Sequence, residues 1–167
     1  MASSGPLPFD PVAEARRNWE RHGWPHPDAM TAVTSITRAH QILLGRIDAT
    51  LRPLDLTFAR YEALVLLAFS RRGTLPLGTM GRRLQVHPAS VTNAVDRLEE
   101  SGFVRRRPHP TDRRARLAEI TGEGRSRVRE ATEALGAIRF GAEGLGDAGA
   151  RRVTEDLATM RRHAGDF

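Results

Sequence analysis

The stretch from Leu84 to Ile120 constrains the fold more than any other part of the chain. Pro88 suits the first position of a helix, where its fixed φ is already helical and its missing N–H would find no partner in any case. From there Val91, Val95 and Leu98 recur at i, i+4 and i+7, which sets three apolar side chains on one face of a helix running to Ser101. Gly102 supplies the left-handed stop that such a helix needs. Phe103 to Arg107 and Ala115 to Ile120 then read as two strands around the turn Pro-His-Pro-Thr-Asp at 108–112. Upstream, Gly78 to Leu84 is a short helix, separated from the longer one by Val86-His87. Gly78 and Gly81 each weaken it by roughly 1 kcal/mol relative to alanine, so its neighbours must hold it. Two helices around a tight turn, then a basic hairpin: few architectures accept that order.

The flanks read as helical. Residues 1–9 are small and proline-containing, an unstructured end. Asp10 caps and Pro11 opens a helix to about His22, with Val12, Ala15 and Trp19 on its apolar face and Gly23 as its stop. After the turn at 24–28, Asp28 is expected to cap a long helix from Ala29 to Leu51. Met30, Val33, Ile36 or Thr37, His40, Leu44, Ile47 and Leu51 form a stripe along it, longer than one monomer core requires. Pro53 ends that helix. Thr57 caps another, with Phe58, Tyr61, Val65 and Ala68 predicted to face inward, and Leu75 to Leu77 forms an edge strand. Thr121 to about Phe140 and Asp147 to Arg162 are helices on either side of a glycine-rich bend. The fold class is mainly α with a small β wing: a winged helix-turn-helix at 57–121, a helical region made of 28–56 and 122–167, and an N-terminal extension at 1–27.

Composition matters chiefly through where the charge sits. Every one of the 26 basic residues is arginine, against 20 acids. Between Arg71 and Arg125 stand 12 arginines and 6 acids, and the rest of the chain holds 14 of each. A solvated surface would scatter such an excess; concentration in one third of the chain is what a phosphate-binding face requires. Cysteine is absent, which removes disulfides, thiol nucleophiles and cysteine metal sites and fits a cytoplasmic protein. No run of about 18 apolar residues offers a membrane span, and the N-terminus lacks the pattern of a secretory signal. His22 and His26 straddle Gly23 and Pro25, so they share no helix face. No two-histidine-plus-carboxylate set, phosphate-cradling glycine loop or GxSxG elbow occurs, so no metal, no cofactor and no enzymatic activity is expected.

With Val91, Val95 and Leu98 turned to the core, Ser90, Asn93 and Arg97 point the other way, flanked by Ala89 and Thr92. Short polar groups and alanine on an uncrowded helix can reach base edges and thymine methyls in a major groove. Arg105, Arg106, Arg107, Arg113, Arg114 and Arg116 surround the hairpin turn, with Asp112 expected as the one acid opposing them. Arginine on a hairpin tip suits the narrow, electronegative minor groove. Asp112 would keep the tip in shape by accepting hydrogen bonds.

LQVHPASVTNAVDRLEESGFVRR followed by HPTDRRARLAEITGEGR resembles the MarR family pattern of recognition helix, glycine and wing. Its Asp-x-Arg signature is Asp112-Arg113-Arg114, and Ile120-Thr121 stands where the family usually has Leu-Thr. The resemblance covers roughly 29–165. It implies a homodimeric regulator on double-stranded DNA, with Arg114 entering the minor groove and Asp112 as its structural partner. Ala89, Ser90, Thr92 and Asn93 would read bases, with Arg97 near phosphate and Pro88, Arg113 and Arg116 also at the DNA. The long helix and the two C-terminal helices would form the dimer interface. The extra N-terminal helix resembles the subgroup that senses urate-like ligands, which implies a pocket of Trp19, Glu62 and Arg106, with Glu where Asp is usual. A small aromatic or anionic effector is expected, because without cysteine thiol oxidation has no substrate. From the residues alone, core packing of the extra helix is the favoured role for Trp19, since aromatics at helical spacing usually pack, and Glu62 reads as a surface acid. The rival readings are a winged module that binds nucleic acid without sequence choice and a helical protein–protein adaptor.

Overall fold

The computed structural model describes residues 7–111 and 116–167. The chain divides into two compact units, one ending at Gly45 and the other beginning at Arg46. The first holds α1 (Pro11–Arg21) and most of α2 (Pro27–Leu51), which continues into the second. Asp10 caps α1 as expected, its side chain accepting from the Val12 N–H at 2.9 Å. Asp28 does not cap α2. The helix starts two residues earlier than expected, at Pro27, behind a left-handed His26 with φ of 55°. Asp28 therefore sits in the first turn, and its carboxylate takes the Arg16 guanidinium at 2.5 Å.

The second unit carries the core. Its helices are α3 (Phe58–Phe69), α4 (Leu77–Leu84), α5 (Pro88–Glu100), α6 (Gly122–Ala137) and α7 (Gly146–His163), and its strands are β1 (Thr74–Pro76), β2 (Val104–Pro108) and β3 (Arg116–Ile120). The sheet is antiparallel in the order β1-β3-β2, with Thr74 opposite Glu119 and Val104 opposite Ile120. Leu51, Leu64, Leu67, Met80, Val95, Leu98 and Leu135 are wholly buried in one cluster. The predicted inner face of α3 is only partly right. Tyr61 is buried, but Ala63, Leu64 and Leu67 complete the buried face, while Phe58, Val65 and Ala68 are half-buried. The reason is that α3 packs on α5 and β3 as well as on α6, which rotates the centre of its buried arc.

Gly124 explains how α6 meets the hairpin. A Cβ there would lie well inside contact distance of the Phe103 carbonyl oxygen and 2.9 Å from Ile120 Cγ1. Only a glycine lets the first turn of α6 come so close to the start of β2. Thr121 secures the same junction, accepting from the Gly124 N–H at 3.0 Å and donating to Gly102 O at 2.8 Å. At its far end α6 stops at Ala137 rather than near Phe140, because Arg139 and Phe140 take left-handed φ values of 45° and 55°. α7 follows with Gly149 as its sole buried residue.

Candidate nucleic-acid interface

The turn between α4 and α5 is made by Gln85, left-handed with φ of 55°, and by His87, whose Nδ1 accepts from the Ala89 N–H at 3.2 Å. Gln85 Nε2 also donates to Asp166 O at 3.0 Å, which ties the C-terminal segment to this turn. The capping role of His87 escaped the sequence reading, since histidine is not among the usual N-cap residues. Pro88 opens α5 as predicted. Val91, Val95 and Leu98 are 2%, 0% and 0% exposed, so one side of the helix is locked into the core. The opposite side presents Pro88, Ala89, Ser90, Thr92, Asn93 and Arg97, all exposed. Thr92 donates its hydroxyl to Pro88 O at 3.1 Å; what it can offer a groove is a methyl and an acceptor. Arg97 pairs with Glu100 at 2.8 Å in full solvent, a contact weak enough to exchange for a phosphate.

The hairpin divides its arginines into two kinds. Arg105 and Arg116 are exposed, and neither has an acidic partner among the described residues. Arg107 pairs with Glu119. Arg106 turns toward α5, pairing with Asp96 and lying 3.8 Å from Glu99. Asp112 is therefore not the one acid opposing the wing's arginines: Asp96, Glu99 and Glu119 oppose two of them. Sequence reasoning missed this because Asp96 and Glu99 belong to a different element, and only the packing of β2 on α5 brings them within reach. Asp112, Arg113 and Arg114 fall outside the described residues.

Of the three residues singled out for a ligand, Trp19 belongs to the first unit and Glu62 and Arg106 to the second. Trp19 is half-buried in the first unit, edge-on to Trp24 at 4.7 Å, and its indole N–H donates to Pro25 O at 2.9 Å. Arg106 is engaged by α5. Glu62 lines an open apolar groove of about 300 Å³ in the second unit with Phe58, Val65, Phe69, Leu84 and Phe140. Desolvation by these neighbours raises its carboxyl pKa above the ordinary value, although the side chain reaches solvent. Leu84 ends α4, so the groove touches the helix-turn-helix directly.

A three-helix frame carrying an exposed second helix and a β-hairpin defines a winged helix-turn-helix protein. Comparison with known proteins gives the family. Residues 56–115 match the model of the MarR family. Sco5413, a MarR family transcriptional regulator from Streptomyces coelicolor, is 51% identical, with a TM-score of 0.78 over 84% of this chain and 97% of its own. YhbI of Bacillus subtilis, an uncharacterized HTH-type transcriptional regulator, is 29% identical over 72% of this chain and 73% of its own. Sco3205, a Streptomyces coelicolor MarR family regulator solved in complex with DNA, shares the fold with a TM-score of 0.72 at 24% identity, over 84% of this chain and 89% of its own. The chain belongs to the MarR family of transcriptional regulators, and it is not an enzyme.

Proposed function

We propose that this protein is a sequence-specific repressor that binds double-stranded DNA as a homodimer and is released by a small effector. The observation that carries the reading is α5: locked by Val91, Val95 and Leu98, it exposes a face of short polar side chains suited to base edges. Ala89, Ser90, Thr92 and Asn93 are assigned to the major groove, and Arg97 and Arg116 to phosphates. Arg114 is assigned to the minor groove, with Arg113 beside it and Asp112 shaping the tip. Sco3205, with the same fold, is a DNA complex. Two copies place two recognition helices about one helical turn apart on a pseudo-palindrome.

The homodimer is supported by apolar surface that one chain leaves uncovered. Val33 of α2 is 60% exposed and Met160 of α7 is 51% exposed. The effector is assigned to the groove beside Glu62, where a ligand pressing on Leu84 would bias α4 and the turn that follows it. Such a ligand releases DNA only to the extent that it favours one of two arrangements of the helix-turn-helix. Trp19 and Arg106 are not assigned to that site, since each is engaged by its own neighbours.

The test is a gel-shift competition between a duplex selected from a random library and a scrambled duplex, at rising salt. A specific reader keeps its preference as the phosphate contribution is screened. Arg114→Ala should weaken the selected duplex at least tenfold, as expected for loss of a buried charged contact. Equal affinities of variant and wild type would remove the wing from the interface.

A further inference from the structure

Arg106 is an arginine of the wing that the function proposed above does not use. Its position in the sheet is fixed by register, opposite Ala118 and two residues from the buried Val104. Alternation along β2 therefore sends Arg106 to the helix side of the sheet and Arg105 and Arg107 to the other. There the guanidinium meets three positions of α5. It pairs with Asp96, its Nε lies 3.8 Å from Glu99, and its Nη2 donates to the Thr92 carbonyl at 3.3 Å. The Arg106 backbone N–H also donates to Glu99 Oε1 at 2.8 Å. Thr92, Asp96 and Glu99 lie at i, i+4 and i+7, one stripe along α5. The side chain is 29% exposed, less than that of Arg107 at 55% or Arg97 at 61%. Its Nε has no hydrogen-bond acceptor among the described residues.

We propose that Arg106 is a positioning residue for sequence readout: by bridging β2 to α5 it fixes how the recognition helix and the hairpin meet the same duplex. It contacts neither phosphate nor effector. A planar guanidinium can hold two carboxylates and a carbonyl at once, whereas an ammonium is a single point charge and cannot hold that fork. Thr92 belongs to the reading face and its carbonyl is one of the anchors, so a slack bridge shifts the side chains that must match base edges. Phosphate contacts tolerate such a shift; base contacts do not.

This inference rests on the DNA-binding reading, and the experiment separates the two. A duplex enriched by the wild type from a random library and a scrambled duplex of equal length are titrated at several salt concentrations, with Arg106→Lys and Arg116→Ala. For Arg106→Lys the ratio of the two affinities should fall about tenfold, the size of one lost base discrimination. Its dependence of log Kd on log salt should keep the wild-type slope. For Arg116→Ala the slope should drop by about 0.9, one phosphate contact, with the ratio unchanged. A purely structural role for Arg106 would lower the melting temperature and both affinities together and leave the ratio alone. An unchanged ratio, or a slope reduced by about 0.9 in Arg106→Lys, overturns the proposal. A wild type with no preference at all overturns the DNA-reading function instead. Asp96→Asn is the second variant. By removing an acid near the duplex it should tighten the scrambled complex while narrowing the ratio, and a ratio at the wild-type value counts against the bridge.

Discussion

From Leu64 to Leu98 the large side chains at the centre of the winged region, Leu64, Leu67, Met80, Val95 and Leu98, are 0% exposed. In α2 and α7 the comparable stripe positions Val33, Ile36, Val153 and Met160 are 60%, 37%, 41% and 51% exposed. Both regions are patterned with apolar residues at helical spacing, yet only one closes on itself. The winged region folds three helices and a small sheet around a single cluster, completed by Leu51, Ala131 and Leu135, and of its large apolar side chains Phe69 (83% exposed, beside the groove) and Val86 (43%) stay in solvent. Each outer helix leaves large apolar side chains in solvent, and exposed apolar surface of this kind marks an interaction face.

Placing a charge on the outer stripe is the hardest test of that contrast. Val33→Asp combined with Ile36→Asp enters each acid twice into a two-fold interface. Burying unpaired carboxylates costs several kcal/mol, so the dimer dissociation constant should rise about a thousandfold or more. Sedimentation of the variant at micromolar concentration should show a monomer whose winged region keeps its far-ultraviolet dichroism. A variant that remains dimeric would place the interface elsewhere.

The next test stays within one helix. Gly124→Ala pushes a methyl against the Phe103 carbonyl, which is backbone and cannot move aside cheaply. The expected loss in urea unfolding is about 3 kcal/mol, the upper end for overpacking. Gly136, also on α6, has nothing within 4 Å of an added Cβ. There alanine should instead add up to about 1 kcal/mol through helix propensity. Equal effects at the two positions would mean that α6 does not seat on the hairpin through Gly124.

Gly78 offers a smaller version of the same logic in α4. It is exposed, and an added Cβ would meet open space, so Gly78→Ala should stabilise by roughly 1 kcal/mol. The penalty that the sequence assigned to this helix is therefore real but local. α4 is held by Met80, wholly buried beneath it. If urea midpoints show no gain, the first helix of the motif needs the slack that glycine gives it.

What could be read from the chain follows from the range of each interaction. Caps, stops and periodicity are local, and so Asp10, Thr57, Thr121 and Gly102 act as their types dictate. The core face of α5 was legible because three residues on one helix define it. The bridge from Arg106 to Asp96 and Glu99 was not, because it joins two elements whose approach depends on the whole core. The inner face of α3 was misjudged for the same reason: α5, α6 and β3 together decide how it rotates. An early end to α6 was hidden in Arg139 and Phe140, residue types that carry no mark of a left-handed backbone.

The smallest effect concerns the apolar groove beside Glu62. Glu62 has its folded pKa raised above the ordinary value of 4.5 by desolvation. The folded state therefore holds this proton to higher pH than the unfolded state does. Stability due to the group is greatest below the unfolded pKa, falls as pH rises through the folded value, and is lowest once the carboxylate is charged in both states. Glu62→Gln removes that penalty. The melting temperature of the variant relative to wild type should rise slightly at pH 7, and the difference should vanish near pH 4. Because the side chain reaches water, solvent keeps the effect small. An amphipathic cation seated in the groove would pair with the carboxylate and reduce the gain at pH 7, whereas an anionic aromatic would have to displace it. A variant less stable than wild type at pH 7 would mean that Glu62 holds a favourable contact rather than paying for its apolar surroundings.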